Sequence, residues 1–247
     1  MDNIKTNFGK LKVNINEKTK LVQNLFTDVS KKYDLMNDIM SFSTHRLWKK
    51  NLVEIMNIQK NDKIIDVGSG TGDITEIILN KKLDTTIYCI DLNNEMIKIC
   101  KKRFNSFQKE KIKFINANAE KLPIESSYFD KYVISFCLRN ITLIDKALNE
   151  ALRVLKPGGI FYCLEFNAPS TKIIKSLYSK YKKKIIPIMG EQFANNKEAY
   201  KYLEESISQF PHQDILLEKI KKIGFENVSY TNLFNGIVSI HKGYKII

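Results

Sequence analysis

The spacing of apolar positions changes along the chain, and each change predicts a different kind of element. Between residues 17 and 60, Leu21, Val22, Leu25, Phe26 and Val29 recur at three-to-four spacing, and Leu47, Leu52, Ile55 and Met56 repeat the pattern. This predicts a helical amino-terminal segment of two or more helices. From residue 62 the texture turns to short apolar runs, which predict strands at 63–67, 86–91, 113–116, 131–136 and 160–166. Amphipathic stretches at 73–81, 94–107 and 143–155 predict helices between them, the last stopped by Lys156-Pro157-Gly158-Gly159. Strands alternating with helices imply βαβ units and a mainly parallel sheet covered on both faces. After residue 169 the rhythm breaks. One long helical excursion is expected over 170–209, then a helix over 212–223 closed by Gly224. The strands expected at 226–232 and 236–241 are joined by a turn too short for a parallel crossover, so they should be antiparallel.

Composition narrows the picture. With 247 residues and 43% hydrophobic content the chain suits a single domain with a full core, and no internal repeat or low-complexity linker divides it. The helical front end (1–60) and the insertion (170–224) are expected to cap a core (61–169) that is completed by a terminal hairpin (225–247). Lys+Arg number 40 against 27 Asp+Glu, a formal net charge of +13. That balance invites a nucleic-acid or anionic-membrane reading. Only Arg46, Arg103, Arg139 and Arg153 are arginines, however, and Lys, Ile and Asn, all with AT-rich codons, dominate. Genome composition thus explains much of the charge, and each arginine gains interest by its scarcity. Cys89, Cys100, Cys137 and Cys163 form no C-x-x-C pair, which argues against structural zinc and for reduced, packed thiols. No apolar run reaches membrane-spanning length, and the amino terminus lacks a signal-type apolar region and arginine. A cytoplasmic bacterial protein, soluble or peripheral on the inner face of the inner membrane, is expected.

The densest chemical signal is Ile64-Ile65-Asp66-Val67-Gly68-Ser69-Gly70-Thr71-Gly72-Asp73, a strand running through a glycine turn into a helix. The G-x-G-x-G spacing differs from the G-x-G-x-x-G of dinucleotide enzymes. It suits a ligand without pyrophosphate, such as S-adenosyl-L-methionine, whose adenosine and methionine parts can lie against bare backbone. Asp91 ends the second strand, where a carboxylate can accept both ribose hydroxyls, although it could also cap the next helix. Asn118 and Ala119 follow the third strand and can read the adenine edge, although Asn118 also suits an Asx turn. Ser135 closes the fourth strand at the expected switch point. Gly68, Gly70, Thr71, Asp91, Asn118, Ala119 and Ser135 are therefore the candidate cofactor residues. A parallel sheet ending in an antiparallel hairpin, with this turn, is the Rossmann-like α/β layout of class I methyltransferases.

Nucleic-acid methylation is disfavoured. Ser135-Phe136-Cys137-Leu138-Arg139-Asn140 stands where amino methyltransferases carry an Asn/Asp-Pro-Pro-aromatic motif. Cys137 lacks the flanking proline and adjacent histidine of a cytosine C5 nucleophile. No RNA-binding module is recognisable.

Longer blocks carry a sharper likeness. YDLMND (33–38), SFSTHRLW (41–48), LRN (138–140), RVLKPGG (153–159), LEF (164–166), YLEESI (202–207) and GIV with HKG (236–243) occur in order. On these the chain, from about residue 24 onward, resembles the ubiquinone/menaquinone biosynthesis C-methyltransferases of the UbiE family. Departures include Ser69 within the glycine turn, Cys137 where the family has glycine, Lys182-Lys183-Lys184 in a usually apolar stretch, and Ala199 in place of a common serine. The resemblance implies methyl transfer from adenosylmethionine to a ring carbon of a polyprenyl benzoquinol, and also of demethylmenaquinol. A methyltransferase for a soluble small molecule is the alternative. Arg139 is expected to stabilise phenolate charge and Asn140 to orient the phenol or a water. Tyr33 and His45 are the proton-handling candidates. The lysines and aromatics of the insertion suit contact with an anionic membrane. A quinone-biosynthesis assembly is a candidate partner.

Overall fold

The computed structural model describes residues 5–167, 169, 171 and 197–247. At the front, β1 (Lys5–Phe8) and β2 (Leu11–Asn14) form an antiparallel hairpin that periodicity does not announce. Each strand has four residues and only Val13 is buried, so no inside-outside alternation marks them. Asn14 then starts α1 (Ile15–Val29) through a capping box with Glu17. The expected helical segment continues as a 3₁₀ turn (Ser30–Lys32), α2 (Tyr33–Ser41) and α3 (Thr44–Ile55). Between α2 and α3 the chain reverses through Phe42 and Ser43, both left-handed at φ 48° and 58°, and Ser43 N–H closes the end of α2 by donating to the Asp38 carbonyl at 2.7 Å.

The alternating section follows as β3 (Lys63–Val67), α4 (Asp73–Leu79), β4 (Thr86–Asp91), α5 (Asn94–Arg103), α6 (Ser106–Lys109), β5 (Ile112–Asn116), β6 (Phe129–Ser135), α7 (Ile144–Val154) and β7 (Leu155–Phe166). The last described elements are α8 (Lys197–Gln209), α9 (Gln213–Ile223), β8 (Glu226–Leu233) and β9 (Val238–Tyr244). Gly224 ends α9 at φ 117°, as its position suggested. The middle of the helical excursion expected over 170–209, including Lys182 to Lys184, lies outside the described residues.

Seven strands form one sheet in the order β5-β4-β3-β6-β7-β9-β8. The pairs from β5 to β7 are parallel, and β9 runs antiparallel to both β7 and β8. Both faces are covered, so successive residues of one strand enter different cores. Ile65 and Val67 pack with Leu148 and Ala151 of α7 and Leu216 and Ile220 of α9. Ile64 packs with Leu52 and Val53 of α3, with Met56 just after it, and with Ile74 and Ile78 of α4. Leu52, Val53 and Met56 are fully buried, each worth about 1.5–3 kcal/mol, so α3 is anchored to the sheet. A third cluster joins Val29 and Met36 of the front end to Ala199 and Tyr200 of α8. The chain moves outward through β4 and β5 on one side of β3 and through β6 and β7 on the other. The reversal between β3 and β6 opens the crevice where such sheets bind ligands.

Candidate active site

At the carboxyl end of β3 the turn passes through Gly68, Gly70 and Gly72 at φ 67°, 54° and 93°. A Cβ on Gly68 would collide with the Cys137 side chain, so this backbone must stay bare. Gly70 N–H donates to Asp91 Oδ2 at 2.9 Å, and Asn93 N–H donates to Asp91 Oδ1 at 2.8 Å. Each carboxylate oxygen keeps acceptor capacity beyond these bonds. Burial pushes the Asp91 carboxyl up to about 6, against the pull of those two backbone donors. The turn, Asp91, Ala117, Asn118, Ala119 and Ser135 wall a cavity of about 110 Å³.

Beside it, under α2 and α3, lies a larger cavity of about 340 Å³. Met40, Trp48, Phe136, Phe166, Leu203, Ile207 and Phe234 give it apolar walls, and Tyr33, His45, Ser69, Ser135 and Arg139 add polar ones. Among the described residues eight buried side-chain polar atoms lack a hydrogen-bond partner, and five belong to this wall: His45 Nδ1, Trp48 Nε1, Ser69 Oγ, Ser135 Oγ and Arg139 Nε. Orphaned polar atoms cost about 1–3 kcal/mol each, so their concentration around one cavity marks a site completed by a polar ligand. Tyr33, Gly68, Gly70, Ser135 and Phe136 line both cavities and form the boundary between them.

Phe136 holds a left-handed φ of 54°, a costly conformation for a bulky side chain. It turns the chain from β6 into the 3₁₀ turn Leu138–Asn140, and its carbonyl accepts Arg139 Nη1 at 2.5 Å. Arg139 Nη1 also pairs with Glu165 Oε1 at 2.7 Å. Burial opposes charge on Arg139, but Glu165 beside it raises its pKa and keeps the guanidinium protonated. Burial pushes the Tyr33 phenol up to about 12, with Arg139 acting against it.

A charged lattice fastens the helical front end over the glycine turn. Thr71 Oγ1 donates to Asp34 Oδ1 at 2.5 Å, and Lys49 Nζ donates to Asp73 Oδ2 at 2.5 Å. Arg103 pairs with both Asp34 and Asp73. Lys49 and Arg103 together outweigh burial and hold the Asp73 carboxyl down at about 2.

Six of the seven residues expected for the cofactor line one cavity. Gly68, Gly70, Asp91, Asn118, Ala119 and Ser135 line the smaller cavity, whereas Thr71 lines the larger one and gives its hydroxyl to Asp34. The Asn118 side chain makes the Asx turn, accepting from Glu120 N–H at 2.9 Å. Tyr33, His45 and Arg139 line the larger cavity. Asn140 lines the smaller one instead, and its Oδ1 accepts from Tyr202 O–H at 3.1 Å. Its amide oxygen is thus engaged by Tyr202, and Asn140 was expected to orient the phenol or a water. Sequence reasoning passed over Asp38, Trp48, Asp66 and Glu165. Burial pushes Asp66 up to about 7, and its place just before the glycine turn was the available signal.

Solved structures share this fold. An S-adenosylmethionine-dependent methyltransferase from Thermotoga maritima is 18% identical, with TM-score 0.65 over 91% of this chain and 99% of its own. A Haemonchus contortus phosphoethanolamine N-methyltransferase bound to S-adenosylhomocysteine is 14% identical, with TM-score 0.60 over 82% of this chain and 52% of its own. The protein is a class I methyltransferase that uses S-adenosylmethionine. Bare glycine backbone, Asp91 with spare acceptor capacity and the unpartnered Ser135 hydroxyl suit that cofactor. Residues 12–245 match the ubiE/COQ5 methyltransferase family, and the chain belongs to it. The ubiquinone/menaquinone biosynthesis C-methyltransferase UbiE of Rickettsia prowazekii is 49% identical over 98% of this chain and 99% of its own length. Its counterpart in Rickettsia bellii strain RML369-C is 46% identical over the same shares.

Proposed function

We propose that the protein methylates a ring carbon of a polyprenyl benzoquinol in ubiquinone biosynthesis, and of demethylmenaquinol in menaquinone biosynthesis. The observation that carries this reading is the shared boundary of the two cavities at Tyr33, Gly68, Gly70, Ser135 and Phe136. A donor in the smaller cavity and a flat apolar acceptor in the larger one would meet there. The whole chain then acts as one catalytic unit, with the helical front end as the lid of the acceptor cavity.

When bound, adenosylmethionine supplies an electrophilic methyl group on a sulfonium. Gly68, Gly70, Asp91, Asn118, Ala119 and Ser135 would hold it, with Asp91 accepting from the ribose hydroxyls. A quinol ring is electron-rich and needs no covalent enzyme nucleophile, so positioning and electrostatics carry the rate. Arg139, permanently charged, steadies negative charge on the phenol oxygen as it develops. Tyr33 stays neutral at physiological pH and can donate at the cavity boundary but not accept a proton. His45 is the residue suited to take one. Asn140 acts by bracing the Arg139 turn against Tyr202.

The exposed aromatics at the cavity mouth, Phe42 and Phe234, together with the lysines of the insertion, support peripheral contact with an anionic bilayer from which a prenyl tail is drawn. Among the described residues no helix is long and apolar enough to cross a membrane. Incubation of purified protein with adenosylmethionine and a chemically reduced polyprenyl hydroquinone tests the reading. Mass spectrometry should find a ring-methylated product, none from the oxidised quinone, and the unmethylated quinone accumulating in a deletion strain. Equal methylation of soluble phenols without a prenyl tail would overturn the substrate assignment. Co-sedimentation with anionic vesicles that weakens in salt is expected, and its absence would remove the membrane contact.

A further inference from the structure

His45 is nearly buried, 4% exposed, yet its two ring nitrogens are treated differently. Nε2 lies 2.9 Å from Asp38 Oδ1, while Nδ1 has no partner. Asp38 is itself fixed by a bidentate fork: Arg46 Nε donates to Oδ1 and Nη2 to Oδ2, both at 2.7 Å. The Arg46 hydrogen bonds hold the Asp38 carboxyl well below the usual carboxylate range, so it is an acceptor at every working pH. An acceptor facing Nε2 demands a proton there, which leaves the Nδ1 lone pair free. His45 lines the larger cavity beside the unpartnered donors Trp48 Nε1 and Arg139 Nε. The wall thus combines one fixed acceptor with two fixed donors. That pattern fits an aromatic ring bearing one hydroxyl to be deprotonated and an oxygen that accepts hydrogen bonds.

We propose that Asp38 is a positioning residue that locks His45 in the Nε2–H tautomer, and that His45 Nδ1 takes the proton of the acceptor's ring hydroxyl. The inference rests on the quinol C-methylation reading. As the ring carbon forms its new bond to the methyl group, the methyl–sulfur bond breaks and the sulfur keeps that electron pair. The hydroxyl proton passes to Nδ1, so the ring emerges as a neutral dienone and His45 as an imidazolium stabilised by Asp38. Loss of the ring proton to solvent then leaves an aromatic phenolate, and the imidazolium returns its proton to that oxygen, which restores the hydroxyl and the neutral His45. Burial first, then Lys49, lower the His45 pKa, with Asp38 and Asp73 acting oppositely. Lys49 shares α3 with His45, and Asp73 opens α4, so the charges of both helices bear on any pH profile.

The chain has three histidines, so nitrogen-15 imidazole spectra of the full-length protein can be assigned by single substitutions. The wild type should show a protonated Nε2 and an unprotonated Nδ1 at His45. Asparagine at this position offers one acceptor oxygen to two donating partners. Asp38→Asn should therefore shift the proton towards Nδ1 and lower kcat by about 10²-fold or more, with KM and adenosylmethionine affinity unchanged. Asp38→Glu should restore part of kcat. Should Asp38→Asn fail to fold, His45→Ala, rescued by added imidazole in proportion to its neutral form, gives the second test. A wild-type proton on Nδ1, Asp38→Asn kcat within about threefold of wild type, or no imidazole rescue would overturn the proposal while wild-type turnover of the hydroquinone leaves the function intact. Absent wild-type turnover together with the expected tautomer would instead refute the substrate reading.

Discussion

Arg139 Nη1 donates to Glu165 Oε1 at 2.7 Å, between side chains only 6% and 0% exposed. Such a pair is costly to break, because one removed partner leaves the other charge buried and alone. Arg139→Ala should abolish turnover while leaving adenosylmethionine affinity nearly intact, and should also lower stability by about 3–5 kcal/mol. The double substitution Arg139→Met with Glu165→Gln should recover most of that stability and none of the turnover. Urea unfolding, calorimetric cofactor binding and initial rates on the same three proteins separate the two effects. Turnover in the double variant would show that the pair is structural only.

Gly68 meets the Cys137 side chain where the cofactor turn touches the end of β6. Gly68→Ala adds a left-handed penalty of about 1–2 kcal/mol to that collision. Adenosylmethionine affinity should fall at least about tenfold, by the conversion of about 1.4 kcal/mol per decade. Adding Cys137→Gly should relieve the collision and restore part of the loss, while Cys137→Gly alone should bind normally. Equal affinity for Gly68→Ala and wild type, measured by calorimetry, would contradict the close approach.

The central sheet was legible because β3 and β4 are apolar runs between glycine and polar breaks, and both strands fall where periodicity puts them. The glycine turn was legible because bare backbone leaves a residue-type signature. Partnership was not. All four arginines engage carboxylates, Arg46 with Asp38, Arg103 with Asp34 and Asp73, Arg139 with Glu165 and Arg153 with Glu150. Scarcity pointed to the arginines, but Glu165 lies 26 positions from Arg139 and only strand pairing brings β7 beside β6. The surroundings of Asn140 were hidden for a related reason. Its tripeptide names a site, yet which cavity its amide faces depends on the left-handed Phe136 and on Tyr202 from α8.

Asp91 links cofactor binding to pH. Its carboxyl sits at about 6 in the free protein because burial disfavours the charge. Ribose hydroxyls donate to the ionised form, so the complex binds fewer protons than the free protein. Adenosylmethionine affinity should therefore fall as pH drops through 6, by up to about tenfold per unit, with proton release on binding near that pH. Calorimetry in buffers of different ionisation enthalpy reads both. Asp91→Asn should bind weakly with a flat profile, and a flat wild-type profile between pH 5 and 7 would rule out this linkage.

His241 makes a separate prediction about the fold. It is fully buried on β9, with Nε2 2.9 Å from the Gln213 carbonyl at the start of α9. Burial lowers its pKa to about 4, with the Gln213 carbonyl acting against the shift. The unfolded chain takes up the proton near the ordinary histidine value of about 6.5, so it binds more protons than the folded state between these limits. Stability from this group is present above about pH 6.5 and is lost as pH falls towards 4. Between pH 7 and pH 5 the wild type should lose about 2 kcal/mol through His241 alone. His241→Gln should be less stable at pH 7, because it disturbs the Gln213 contact, but should lack that increment of pH dependence. Urea midpoints of both proteins at the two pH values decide it: parallel losses would place the acid sensitivity elsewhere.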